Sequence, residues 1–279
     1  KLHELGSDGQ YYTQQDLRDI VAYARDRGIR VVPEFDMPGH STSWFVGYPE
    51  HASAPGPYAI ERRFGVFPPA FDPTRESTYL FLEQFITEMT GIFPDPYWHI
   101  GGDEVMGKQW NENPRIAAYK RTHGMRTNEA LQAHFNQRLS RILARHHRRM
   151  VGWDEILHST LAPGTVIQSW RGTEYLGQAA RQGLRGILSA PYYLDHIRTA
   201  AELYAVDPLP PGHGLSPEQE ARILGAEACM WAEHVDPGTV DSRIWPRMAT
   251  LAERFWSAAS VRDVDDMYRR LAVVSLGLE

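Results

Sequence analysis

Apolar residues recur along this chain in two alternating rhythms. From Thr13 the text TQQDLRDIVAYARDRG has a capping-box start, in which the Thr13 hydroxyl and the Asp16 carboxylate satisfy free N–H groups. Leu17, Ile20, Val21 and Ala24 then form one helical stripe, and Gly28 supplies the stop. The stretch IRVVPEFDM follows, short and β-rich, and ends in the loop residues PGHSTSW. The alternation repeats. A Pro- and Gly-rich loop through Pro73 leads to a helix expected from about Thr74 to Thr90, with Phe81, Phe85, Ile86 and Met89 on one face, and then to the strand YWHIG. A long helix is expected near Thr127 to His147, striped by Leu131, Phe135, Leu139 and Ile142. MVGWDEI, TVIQSW, RGILSAPYYL and ILGAEACMW read as further strands, and a last helix carries Ile244, Met248, Leu251 and Phe255.

Near-continuous apolar strands alternating with helices describe a parallel sheet buried on both faces. At this length the candidates are a doubly wound sheet and a (β/α)8 barrel of the TIM type. No Gly-rich first turn of a nucleotide binder is visible. Polar and aromatic residues crowd the C-terminal end of nearly every strand: Asp36 and His40, Asp103 and Glu104, Trp153, Trp170, Tyr193 and Asp195, Trp231 and Glu233. A barrel gathers such ends at one mouth, which decides for an α/β barrel, read as a single domain over residues 1–279.

Composition narrows the chemistry. A net charge of −6 argues against a nucleic-acid partner, and no apolar run reaches the length of a membrane span. The opening residues lack the charged head and apolar block of a secretory signal. Cys229 stands alone, which rules out an internal disulfide and a thiolate zinc site. P-loop, GxGxxG, HExxH and GxSxG patterns are missing. A metal site from Asp36, His40, His99 and Asp103 would put one histidine on each of two strands, unlike the clustered ligands that zinc prefers. His99 reads instead as an inward-facing residue bonded to a neighbour. What remains is carboxylates beside tryptophans. Indole faces stack on sugar rings while carboxylates accept hydrogen bonds from hydroxyls, so the mouth suits a carbohydrate.

One stretch sharpens this. YWHIGGDEV places Asp103 and Glu104 side by side after two glycines. Most such pairs are solvated loop acids. Here, HIGGDE resembles the signature of the β-N-acetylhexosaminidases of glycoside hydrolase family 20, as do VVPEFDMPGH, GWDE, QSWRG, YYLD, GAEACMWAE and WPRMATLAERFWS, in the family's order from about Tyr12 to Ser257. The resemblance implies exo-acting hydrolysis of terminal N-acetylglucosamine or N-acetylgalactosamine, with no cofactor. The family is a substrate-assisted exception to the scheme of two opposed carboxylates.

By that resemblance Glu104 is the general acid and then the base, and Asp103 holds the acetamido N–H and stabilises an oxazolinium ion. The charge of Asp103 would help keep Glu104 protonated. Tyr193 would aim the acetamido oxygen. Trp153, Trp170 and Trp231 would wall the acetamido methyl group and the sugar face, and Asp195 and Glu233 would bind hydroxyls. His40, with Asp36, would back Glu104, although Asp36 could equally cap its loop. Secretion or a periplasmic location is suggested by the family alone.

Nothing before Tyr12 matches the family's first two strands, so the expected barrel is incomplete at the N-terminus, with about six of the eight strands present. Raw sheet edges would then invite a homo-oligomer or a partner chain. The alternative function is a carbohydrate-binding or vestigial protein of low activity.

Overall fold

The computed structural model describes residues 1–158 and 160–278, arranged in two compact units, 1–166 and 167–279. Among the described residues no helix is long and apolar enough to cross a membrane.

In the first unit, β1 (Tyr97–His99) and β2 (Arg149–Trp153) pair in parallel, with Trp98 opposite Met150. The helix Asn128–Arg145 packs on β2, and Glu76–Thr90 packs against that helix. All of Leu131, Phe135, Leu139 and Ile142 are buried, as the stripe requires. On the first of these helices the buried line runs through Tyr79, Leu82 and Ile86, one step round from the expected face. Phe81 and Phe85 instead pack edge-on against Trp44, and Phe85 also meets Phe35. Aromatic edge-to-face contacts need the flank of a helix as much as its centre.

Two expected elements differ. IRVVPEFDM is not a full strand: a single parallel bridge joins Glu34 to His99. Hydrogen bonds do run from Phe35 N–H to the His99 carbonyl (3.1 Å), from His99 N–H to that of Pro33 (3.0 Å) and from Met37 N–H to that of Ile100 (2.9 Å). The last of these breaks the alternate spacing of a parallel ladder, and Pro33 has no N–H to add. The helix Gln14–Arg25 has its capping box as expected, yet of its stripe only Ala24 is buried and Ile20 is 43% exposed.

In the second unit, β3 (Val166–Ser169), β4 (Arg185–Leu188) and β5 (Ile223–Ala226) follow in that order, and β4 and β5 pair in parallel. The core gathers Leu176, Leu188, Tyr192, Leu194, Leu203 and Leu251. Ile244, Met248 and Phe255 pack against it but do not share one helix. The chain forms Val240–Ile244 and Arg247–Trp256, broken at Pro246, whose ring cannot continue a helix. A further helix, Val264–Ser275, follows.

Candidate functional site

In the first unit the chain leaves β1 through Gly101 and Gly102, at φ of 66° and 92°. Only glycine fits there. A Cβ on Gly101 would overlap the Asp36 carboxylate, and one on Gly102 would strike Ile156. This tight passage brings Asp103 and Glu104 back against the Asp36–His40 segment. Gly102 N–H donates to Asp36 Oδ1 (3.0 Å), and Gln132 Nε2, from the long helix, donates to the Gly102 carbonyl (2.6 Å). Glu104 and His40 themselves sit at positive φ, 50° and 46°. Such strain persists where the surroundings over-determine a conformation, as they do at functional sites.

One imidazole nitrogen joins the pair. His40 Nε2 lies 3.2 Å from Glu104 Oε2 and 3.3 Å from Asp103 Oδ2. Its hydrogen bond to Asp103 outweighs burial, and the charge of Asp103 adds to it, raising the imidazole to about 9. Burial and then the neighbouring charge of Asp103 push the Asp36 carboxyl up to about 9 as well. Burial would raise Asp103 too. The bond and charge of His40, and the bond from Asp36, outweigh that and hold Asp103 below the usual carboxylate range. Near neutrality the cluster is therefore a protonated Asp36 donating to an Asp103 anion, beside an imidazolium. Asp36 thus contacts Asp103, while His40 alone of the two reaches Glu104.

Asp36, His40 and Asp103 each offer one ligand atom, all within 4.8 Å of one another, and His99 stands outside that group. His99 is buried at 4% exposure, and its Nδ1 accepts from Gly101 N–H (3.0 Å). Trp153 packs edge-on to the His99 ring (5.3 Å, 64°) and donates from Nε1 to Glu34 Oε1 (3.0 Å). At 3% exposure Trp153 is buried, its indole N–H held by Glu34. Glu34 was legible from alternation: it lies two residues before Asp36 on extended chain, so both project to one face.

The second unit carries the other expected residues at its strand ends. Trp170 opens the bend after β3 and is half-buried. A parallel bridge joins Tyr193 to Cys229, and Leu194 N–H donates to the Cys229 carbonyl (2.8 Å). The Trp231 indole N–H donates to the Tyr193 phenol oxygen. Burial, with the charges of Cys229, Glu227 and Asp195, holds that phenol above its ordinary range, so it remains an O–H donor. Trp231 N–H points at Asp195 Oδ1 (3.5 Å). Trp231 is 40% exposed, and Glu233 lies on the exposed turn beyond it. Arg247 donates to the carbonyls of Leu194, His196 (2.9 Å) and Arg198 (3.1 Å), fixing the turn that bears Asp195. Sequence reading gave Arg247 no part; its place after Pro246 in WPRM was the available signal.

Residues 2–259 match the family described as Glycosyl hydrolase family 20, catalytic domain. The chain is 38% identical over 282 residues to the Homo sapiens beta-hexosaminidase subunit beta, covering 96% of this chain and 50% of that one. Against the Bos taurus alpha subunit the identity is 39%, with 96% and 53% covered. Among solved structures it superposes on the Flavobacterium johnsoniae chitobiase with a TM-score of 0.95 at 44% identity, covering 98% of this chain and 43% of that one. A Vibrio harveyi exo-β-N-acetylglucosaminidase in complex with N-acetylglucosamine gives a TM-score of 0.82 at 29% identity, with 94% and 44% covered. The chain therefore spans about half the length of the relatives it matches. Its fold class is the α/β, TIM-barrel type of these neighbours.

Proposed function

Because this chain belongs to glycosyl hydrolase family 20, we propose that it removes terminal non-reducing N-acetylhexosamine residues by a retaining, substrate-assisted route. Residues 1–279 are read as one catalytic domain of that enzyme. The observation that carries the reading is the meeting of Asp103 and Glu104 on a single nitrogen of His40. An ordinary retaining glycosidase sets two carboxylates about 5 Å apart across a sugar, with one as nucleophile. Here an imidazole fills the space between them, so the attacking atom must come from elsewhere.

In this mechanism Glu104 protonates the departing oxygen and later takes a proton from water. Asp103, kept anionic by His40 and by the hydrogen bond from Asp36, accepts the acetamido N–H. The acetamido oxygen attacks the anomeric carbon and closes an oxazolinium ring, whose positive charge faces Asp103. Tyr193 donates to that oxygen. Trp153, Trp170 and Trp231 wall the N-acetyl group and the sugar face, and Asp195 and Glu233 bind hydroxyls. The exposed Tyr12, Tyr23 and Ile29 are read as covered by a second copy of the chain or by a partner polypeptide.

Release of nitrophenol from a nitrophenyl N-acetyl-β-glucosaminide tests the reading. Asp103→Asn is expected to lower kcat by about 100- to 1000-fold, the loss expected on removing one electrostatic stabiliser. Glu104→Gln is expected to cost about 100- to 10,000-fold on a poor leaving group and less on nitrophenol. A thiazoline mimic of the intermediate binds more tightly than substrate. Equal hydrolysis of a glycoside lacking the N-acyl group overturns the mechanism. A wild-type rate no higher than that of the double variant leaves a binding protein.

A further inference from the structure

Side chains at the ends of three consecutive strands converge on one part-buried oxygen that the mechanism above leaves unused. Glu227 directly follows β5. Its Oε1 accepts hydrogen bonds from Gln168 Nε2 on β3 and from Ser189 Oγ (2.6 Å) just after β4, and it faces Cys229 Sγ at 3.9 Å. The backbone reinforces the tie: Glu227 N–H donates to the Leu188 carbonyl (2.9 Å), and Ser189 N–H donates to that of Ser169 (2.8 Å). Each partner stands close in sequence to a residue assigned to the sugar. Gln168 is two before Trp170, Ser189 four before Tyr193, and Cys229 two before Trp231.

A carboxylate is a costly way to fill this position, since a buried acid gives up its hydration and an apolar side chain of similar volume packs as well. What a carboxylate oxygen offers is the capacity to accept several donors at once through strong charge-assisted bonds. Burial raises the Glu227 carboxyl, while the bonds from Ser189, Gln168 and Cys229 pull the other way.

We propose that Glu227 is a positioning residue for recognition of the N-acyl group, tying the ends of β3, β4 and β5 so that Trp170, Tyr193 and Trp231 keep a fixed spacing. The inference rests on the hexosaminidase reading and deepens it. The tie reaches the aromatic residues through short links. Cys229 bridges Tyr193 in the backbone, and Trp231, two residues further, donates to the Tyr193 phenol. Loosening Glu227 therefore changes the size of N-acyl group the site accepts as well as the overall rate.

The test compares nitrophenyl β-glucosaminides bearing N-acetyl and N-propanoyl groups, in the intact protein. Glu227→Gln keeps the shape and removes the charge. It is expected to lower kcat/KM on the N-acetyl substrate by about 10- to 100-fold, the scale of a misplacement of up to 1 Å. The loss on the N-propanoyl substrate is smaller, so the acetyl-to-propanoyl ratio falls severalfold. Ser189→Ala, which removes one donor, shifts the ratio the same way by less. A misfolded fraction cancels in the ratio, so a merely structural role leaves it at the wild-type value. An unchanged ratio in both variants, whatever their activity or Tm, overturns the inference. Should Glu227→Gln fail to fold, Ser189→Ala and Gln168→Met decide by the same ratio. A wild-type protein that neither hydrolyses the N-acetyl substrate nor binds a thiazoline mimic overturns the hexosaminidase reading and this inference with it. Wild-type turnover with an unmoved ratio overturns this inference alone.

Discussion

His40 offers one nitrogen to two carboxylates, and that single contact makes the cluster sensitive to pH. Its imidazole is raised from 6.5 to about 9, so the folded chain keeps a proton that the unfolded chain releases between those values. The stability His40 brings is thus complete below pH 6.5 and is lost as the pH climbs through about 9. Asp36, raised from 3.8 to about 9, works in the same direction. Calorimetry of wild type and His40→Gln is expected to show a Tm gap that narrows from pH 6.5 to 9; a widening gap contradicts the assignment. Gly101 is the other sensitive position. At φ 66°, with the Asp36 carboxylate where a Cβ would stand, Gly101→Ala has no relaxed conformation. It is expected to cost about 1–3 kcal/mol of stability and to lower kcat by up to about 100-fold through displaced carboxylates. Wild-type Tm and turnover in that variant would refute the packing argument.

At the scale of elements, the long helix Asn128–Arg145 does more than cover the sheet. Its buried face includes Gln132, whose amide holds the Gly102 carbonyl at 2.6 Å directly before Asp103 and Glu104. Gln132→Met keeps the bulk and removes the donor. The stranded carbonyl is expected to cost about 1–3 kcal/mol, read as a fall in Tm, together with a lower kcat. A variant that lost stability without losing kcat would show that the helix supports the fold and not the site. Element identity was largely legible in the sequence, because the 3.6-residue stripes and the apolar runs carry it locally. The exceptions are instructive. Pro246 stood in plain view inside the apolar pattern that was read as one helix, and its ring breaks the pattern into two. The face of the helix Glu76–Thr90 was displaced because Trp44 and Phe35, distant in sequence, claim its aromatic flank.

For the whole molecule, the relevant fact is surface. Tyr12 at 69%, Tyr23 at 62% and Ile29 at 58% exposure precede in sequence the Pro33–Met37 segment, whose ladder is irregular. Exposed apolar residues and poorly paired edges each favour association. Sedimentation velocity at micromolar concentration is expected to show an assembly larger than one chain. A stable, well-folded monomer under those conditions contradicts this part of the proposal.

The sequence alone determined the α/β class, the order of elements and the family, since each rests on periodicity or on motifs contiguous along the chain. It also marked Asp103 and Glu104, because two glycines before two acids at a strand end form a local signal. Only tertiary structure decided who touches whom: that Asp36 gives its hydrogen bond to Asp103, that His40 spans both carboxylates, that Glu34 holds Trp153, and that Glu227 gathers donors from β3 and from the end of β4. Those contacts join residues from 38 to 119 positions apart. Protonation states follow from burial and from the charges that folding brings within a few ångströms, quantities that a string of residues does not contain.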